Sequence, residues 1–526
     1  MRKYFVFVAV LAHLLVFAVG AINWSPVYWG FLIVTPLTLV GIHDSLQKRR
    51  AVLRNFPVIG HFRYLFEAIR PEMYQYFIES DTDGAPLNRE YRSVIYQRAK
   101  GQLDTLPFGT QRDVYQEGYE WVNHSLSARP ANGDVPRVLI GETTCEKPYA
   151  SSLLNISAMS FGALSKNAVL AFSRGAHAGG FALNTGEGGI SPHHLAGGAD
   201  LIWQIGTGYF GCRDEEGRFD EELFRKNASL EQVKMIEVKL SQGAKPGHGG
   251  ILPAAKVTPE IAAIRNVPLG KEVLSPPAHS MFSDPIGLLR FVKRLRELSG
   301  GKPVGFKLCI GDPAEFLSIC KAMAEMRLHP DFITVDGGEG GTGAAPLEFS
   351  NSIGTPLSEG LVFVHNALVG FDLRERVKVI ASGKIVTGFH MAARMGLGAD
   401  LCNSARAMMI SIGCIQARRC NSNHCPVGVA TQNPGLVDGL DPDDKAQRVA
   451  RYQHETVHSL MEIAGAAGLA DPAELTPDLF HRRTGPAEVR CYDEIYDFIE
   501  PGSLLYDPVP ESFERAWYRS RSDRFR

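Results

Sequence analysis

Neither sign of charge dominates this chain: 55 Lys and Arg stand against 57 Asp and Glu in 526 residues, a formal net charge of -2. A surface built for nucleic acid carries a basic excess that neutralises phosphates, so nucleic acid is excluded as a partner. Cysteine is scarce as well. Nine in 526 residues make no disulfide scaffold, and a reducing compartment is expected. Near the amino terminus charge disappears: residues 4–22 hold no ionisable group beyond Tyr4 and His13, and residues 24–42 hold no charged residue. Each run is 19 residues. At about 1.5 Å per helical residue, that length crosses a roughly 30 Å apolar layer.

The two runs read as a transmembrane helical hairpin over residues 1–46, turning at Asn23-Trp24-Ser25-Pro26 with Trp24 at interfacial depth. Arg2 and Lys3 precede the first run, and Lys48, Arg49, Arg50 and Arg54 follow the second. The positive-inside rule then puts both ends, and everything downstream, on the cytoplasmic side of the inner membrane. A secretory signal is the competing reading, because "AVGA" at 18–21 has the small residues of a cleavage site; it leaves the second run unexplained.

Residues 47–140 form a mixed, charged connecting region. Within it, 54–77 has aromatic and basic residues at near-helical spacing, expected to pack on the main domain or to lie at a membrane surface. From 141 to 470, short apolar runs alternate with helical stretches such as 285–298 and 314–326. The strand candidates are "LLNISA" (153–158), "FALNT" (181–185), "MIEVKLS" (235–241), "EVLS" (272–275), "VGFKLC" (304–309), "FITVDG" (332–337), "VKVIAS" (377–382) and "DLCNSA" (400–405). Eight such strands predict a (β/α)8 TIM barrel, whose function sits on the loops after the strands. The glycine-rich stretches fall on those loops. The loops after strands seven and eight, "SGKIVTG" (382–388) and "NSARAM" (403–408), are where a barrel binds phosphate. Gly338, Gly340 and Gly343 imitate a dinucleotide fingerprint, but "AAPLEFSNSIGTP" places prolines where its helix and next strand would run. Residues 471–526 are a carboxy-terminal extension. Its last twelve residues hold five arginines, suited either to anionic lipid or to a solvated end.

Three of the nine cysteines, Cys414, Cys420 and Cys425, crowd into "GCIQARRCNSNHCPVGVATQNP" (413–434). Thiolates on a tight loop with a proline after the last suit an iron–sulfur cluster. Zinc wants a fourth ligand, and His424 is poorly placed beside Cys425 to share its ion. Zinc and inert loop thiols remain the alternatives.

In order along residues 150–435, "NISAMSFGALS", "NTGEGG", "QGAKPGHGGILPAAKVTPEIAAIR", "LSPPAHS", "GGEGGTGAAP" and "CNSNHCPVGVATQNP" resemble the FMN- and iron–sulfur-binding synthase domain of glutamate synthase. The resemblance implies an FMN barrel with a [3Fe-4S] cluster on Cys414, Cys420 and Cys425. It places Glu187 and Lys245 by the flavin and a 2-oxo acid, with Arg265 on the substrate carboxylate. Ser157, Met159 and Ser160 would cradle the flavin, as would Gly338 and Gly341. Ser382, Gly383, Lys384, Gly388 and Arg406 would form its phosphate end. Lys307 would stabilise the reduced flavin's negative charge, or else sit in a buried ion pair.

Two departures matter. The family pattern reads "GAKPGEGGQLP", whereas this chain has His248 for the glutamate and Ile251 for the glutamine. That glutamine contacts substrate in the family, so the acid is held differently here or is not 2-oxoglutarate. The glutaminase domain, with its amino-terminal cysteine nucleophile, is also missing from the resemblance, so ammonia or another amine would come from elsewhere. The expected activity is reductive amination of a 2-oxo acid, with electrons from a ferredoxin-like protein, a flavoprotein or a membrane carrier. Two alternatives are an amine or amino-acid dehydrogenase feeding a membrane acceptor, and a non-catalytic membrane-docked redox subunit.

Overall fold

A computed structural model describes residues 2–22, 25–131 and 134–525, which form two compact units divided between Arg89 and Glu90. The first unit is helical. Arg2–Ile22 and Ser25–Leu46 are each long and apolar enough to cross a membrane. Asn23 and Trp24, half of the expected turn, lie outside the described residues. Near the end of the second helix the buried Asp44 accepts from His61 Nε2 at 2.9 Å and Val58 N–H at 3.0 Å. This elbow fixes the start of helix His61–Met73, which buries none of its residues. Phe62, Leu65, Phe66, Ile69 and Met73 recur at helical spacing and are all exposed.

The second unit holds the barrel. Its strands are Leu154–Ile156 (β1), Ala182–Asn184 (β2), Asp200–Ile205 (β3), Val233–Lys239 (β4), Val304–Leu308 (β5), Phe332–Asp336 (β6), Lys378–Ser382 (β7) and Leu401–Ser404 (β8). All pair in parallel, and the barrel closes where Cys402–Ser404 of β8 run beside Leu154–Ile156 of β1. β3 to β8 read as nearly continuous buried runs, as parallel strands covered on both faces must. The helices that follow start on side-chain caps. Ser165, Ser191, Asp220, Asp284, Asp312 and Thr387 each accept an N–H from the first turn, a bond worth about 1 kcal/mol apiece. At the N-terminal end a hairpin, Val138–Ile140 with Tyr149–Ser151, drives Ile140 and Tyr149 in among Ala182, Phe332 and Leu401.

One expected strand is wrong. "EVLS" lies outside the barrel: Val273–Leu274 pairs antiparallel with Ile251–Leu252 in the loop after β4, and Leu274 is 62% exposed. The missing strand is β3, "DLIWQI". It follows β2 after a crossover whose helix, Pro192–Ala196, is only 5 residues long, too short for the usual strand–helix rhythm to register. Helix Pro285–Leu298 matches its expected bounds, and the next begins at Pro313.

The tail is not a loose end. Helix Glu511–Arg519 buries Phe513 and stacks it on Phe363. Lys321, on the barrel helix Pro313–Met326, donates to Trp517 O at 2.7 Å and Ser520 O at 3.1 Å, while its ammonium sits 3.7 Å from the Trp517 ring centre. Arg519 pairs with Asp312.

Candidate active site

The chemistry gathers where the strands end. The last four residues of β4, Ile236 to Lys239, alternate apolar and charged, putting Glu237 and Lys239 on one side. Glu237, 1% exposed, accepts from Asn184 at 2.8 Å, Gln204 at 2.6 Å and Thr334 at 2.7 Å. Donors from β2, β3 and β6 thus satisfy a buried carboxylate that would otherwise be costly. One step towards the mouth, Lys239 Nζ lies 2.9 Å from Glu187 Oε1. Burial opposes the Glu187 charge, but Lys239, Arg265 and Lys245 outweigh it and hold the carboxyl below its usual range. Gly250 permits this approach: a Cβ there would fall 2.3 Å from Glu187 Oε1.

Lys245 is 3% exposed and donates to Ala344 O at 2.8 Å. Burial, and the charge of Lys239, bring its pKa down to about 8 despite Glu187. Arg265, 4% exposed, donates to Phe161 O at 2.9 Å and lies 5.1 Å from the Phe210 ring centre, while its Nε is buried without a partner. An unpartnered buried guanidinium N–H lacks an acceptor, and a ligand carboxylate fits it. The expected trio Glu187, Lys245 and Arg265 therefore shares one electrostatic site, joined by Lys239. Sequence reasoning missed Lys239 and Glu237, although charges inside the otherwise apolar "VKMIEVK" were the available signal.

A second network joins the other strand ends. Ser157 and Ser382 hydroxyls lie 3.3 Å apart, Ser382 donates to Asp336 Oδ1 at 2.9 Å, and Gly243 N–H donates to Asp336 Oδ2 at 2.8 Å. Lys307 Nζ stands 3.6 Å from the same carboxylate. Burial opposes its charge, yet Asp336, Glu237 and Glu187 together raise its pKa. Lys307 thus stands in a buried ion pair at the mouth, the second of its two expected settings. Met159 and Ser160 are half-buried, their backbone against Gly186, where a Cβ would sit 2.6 Å from Ser160 N.

Between β7 and β8, Arg406 donates to Glu339 O at 2.6 Å beside Gly341. Lys384 is lowered by burial and then by Arg406. Among the described residues no carboxylate forms an ion pair with either cation. Two unpaired cations with close backbone at Gly338, Gly341 and Gly383 fit a phosphate dianion. Gly388 is accounted for by packing instead, since a Cβ there would meet Leu460 N at 2.5 Å. The replacing residues have their own contacts: His248 meets the Phe349 ring edge-on at 5.1 Å, and Ile251 pairs with Leu274.

The three-cysteine loop lies beside the first barrel loop. Gln432 Nε2 donates to Gly162 O at 3.1 Å and Leu164 O at 2.8 Å, and Ser165 N–H donates to Val429 O at 2.9 Å. Tyr96 Oη holds the loop's start by donating to Cys414 O at 2.6 Å. Gln416, Arg418 and Asn423 take left-handed backbone, coiling the loop tightly. Burial pushes the Cys414 thiol up to about 12, and its neighbours Cys420 and Cys425 add to that. Among the described residues, no three His, Cys, Asp or Glu side chains converge as a single ion requires. A cluster binds each thiolate at a separate iron, and the mutual proximity of Cys414, Cys420 and Cys425 is compatible with one.

Residues 113–470 match the conserved region in glutamate synthase. The chain is 38% identical over 515 residues to the glutamate synthase large subunit-like protein YerD of Bacillus subtilis, covering 89% of this chain and 97% of that one. It is 37% identical to an archaeal glutamate synthase of Methanocaldococcus jannaschii, covering 60% of this chain but only 58% of the relative. A solved mandelate oxidase overlays with a TM-score of 0.40 at 14% identity, covering 78% of this chain and 94% of that one, a likeness too loose to carry an argument.

Proposed function

This chain belongs to the glutamate synthase-like family, and on that premise we propose that it is an FMN-dependent oxidoreductase that reductively aminates a 2-oxo acid. Electrons would arrive through a [3Fe-4S] cluster on Cys414, Cys420 and Cys425. The observation that carries the reading is the half-buried Glu187 ringed by the buried Lys239, Lys245 and Arg265 at the barrel mouth, with Arg265 Nε unpartnered.

The 2-oxo acid and ammonia lose water to form an imine; two electrons and two protons then turn its C=N bond into CH–NH. When bound, FMN supplies the electron pair, its phosphate held by Lys384 and Arg406. Arg265 offers its free N–H to the substrate carboxylate. Lys245, whose pKa is about 8, is mostly protonated at neutral pH and gives a proton to the imine nitrogen. Glu187 stays anionic and balances that cationic nitrogen, while Lys239 fixes its orientation. Ile251 in place of the family glutamine leaves the far end of the substrate without an amide donor, so acids other than 2-oxoglutarate belong in the assay. Purified protein given reduced ferredoxin, ammonium and a panel of 2-oxo acids is expected to form the matching amino acid. If none appears at any pH, the reading fails; flavin bleaching by amines without a donor would support the dehydrogenase direction instead.

We also propose that Arg2–Ile22 and Ser25–Leu46 anchor the enzyme in the inner membrane, with the barrel in the cytoplasm. The exposed apolar stripe of His61–Met73, tied by Asp44 to the end of the second helix, supports this, because such a stripe suits the headgroup boundary. The protein is expected to stay with membranes through carbonate washing and to need detergent for release. Its recovery in the wash would refute the anchor without touching the chemistry.

A further inference from the structure

Lys256 is a lysine in an unusual position. It ends the short turn Ala254–Lys256 in the loop after β4 and is 2% exposed. Its ammonium donates to Ala163 O at 3.1 Å and Ala430 O at 2.9 Å. The first carbonyl belongs to the loop after β1, which holds Met159 and Ser160. The second lies five residues beyond Cys425 on the strand of chain leaving the cysteine loop. Next to Lys256, Ala255 O accepts from Asn423 Nδ2 at 3.1 Å, and Asn423 sits between Cys420 and Cys425. One turn therefore touches both the cysteine loop and the loop that borders the active site.

The electrostatics of this lysine are incomplete. Among the described residues no carboxylate pairs with Lys256. Two carbonyls satisfy hydrogen bonds, but they do not neutralise a buried charge, and unneutralised buried ammonium is expensive. The anions within its reach are Cys420 and Cys425, whose thiolate charge would favour the lysine's protonated form against the burial that disfavours it. Three thiolates around an iron–sulfur core leave net negative charge on that core, and reduction adds one more.

We propose that Lys256 is the buried counter-charge of the cluster and, through Ala163 and Ala430, the tie that holds the cysteine loop against the first barrel loop. It acts as a positioning residue, not a catalytic one. A fixed positive charge stabilises the reduced cluster more than the oxidised one, so Lys256 raises the cluster's reduction potential. The proposal rests on the cluster reading above, and the experiment separates the two.

The test uses the full-length protein in detergent, as wild type, K256Q and K256R. Iron and acid-labile sulfide are measured first, then the cluster's midpoint potential by EPR-monitored redox titration. K256Q is expected to have a lower midpoint potential than wild type, with K256R close to wild type. If K256Q loses iron while K256R keeps it, the requirement for a cation is equally supported. Equal potentials in all three proteins at full iron content would overturn the proposal, as would loss of iron in both variants, which would make the exact amine geometry decisive and not the charge. Wild type without iron or sulfide would refute the cluster reading itself.

Discussion

Lys245→Gln is expected to lower kcat/KM for amino-acid formation by about two to four orders of magnitude, the usual worth of a positioned acid, or about 3–5 kcal/mol of barrier. Lys245 is buried and donates to Ala344 O, so glutamine fits there and keeps a donor but cannot deliver a proton. Burial and Lys239 lower its pKa to about 8. The sign follows: the acid is present below that pH and lost above it, so wild-type turnover should fall as pH rises through about 8. That limb should vanish in K245Q. Unchanged far-ultraviolet circular dichroism would certify the fold. A variant retaining both the wild-type rate and the alkaline limb would remove Lys245 from the chemistry.

Cys425→Ser, or the same change at Cys414 or Cys420, is expected to abolish bound iron and sulfide entirely. Each thiolate of a three-ligand cluster holds one iron, and a serine alcohol is a poor substitute for soft iron ligation. Cys425 is 6% exposed, so a small local packing cost accompanies the change, while the other two are more open. Cys402→Ser is the matched control. That thiol is fully buried in β8 with its pKa raised by burial, and it should leave the metal content intact. Elemental analysis with EPR of the oxidised protein reads the result. Full iron in all three loop variants would refute the ligand set, and stoichiometric zinc in wild type would replace the cluster with a different site.

The pattern of buried strands and capped helices was legible in the sequence because both features are local. Seven of the eight strands carry their own apolar runs, and Asp284 and Asp312 announce the helices they cap. β3 escaped because the crossover before it is so short, and "EVLS" deceived because two apolar residues in a hairpin resemble a strand end. The three clustered cysteines were legible for the same local reason: they are close in the chain.

What the sequence determined by itself was the barrel class, the glycine loops, the thiol cluster and the two apolar runs at the amino terminus. Only the tertiary structure decided that Lys239 clamps Glu187, that Glu237 takes donors from three other strands, and that Lys256 reaches both Ala163 and Ala430. It also decided that helix Glu511–Arg519 docks on the barrel helix Pro313–Met326. The reason is physical: these pairings join residues from tens to nearly two hundred positions apart, where periodicity carries no information. A buried charge declares its partner only once barrel closure has removed the water from around it.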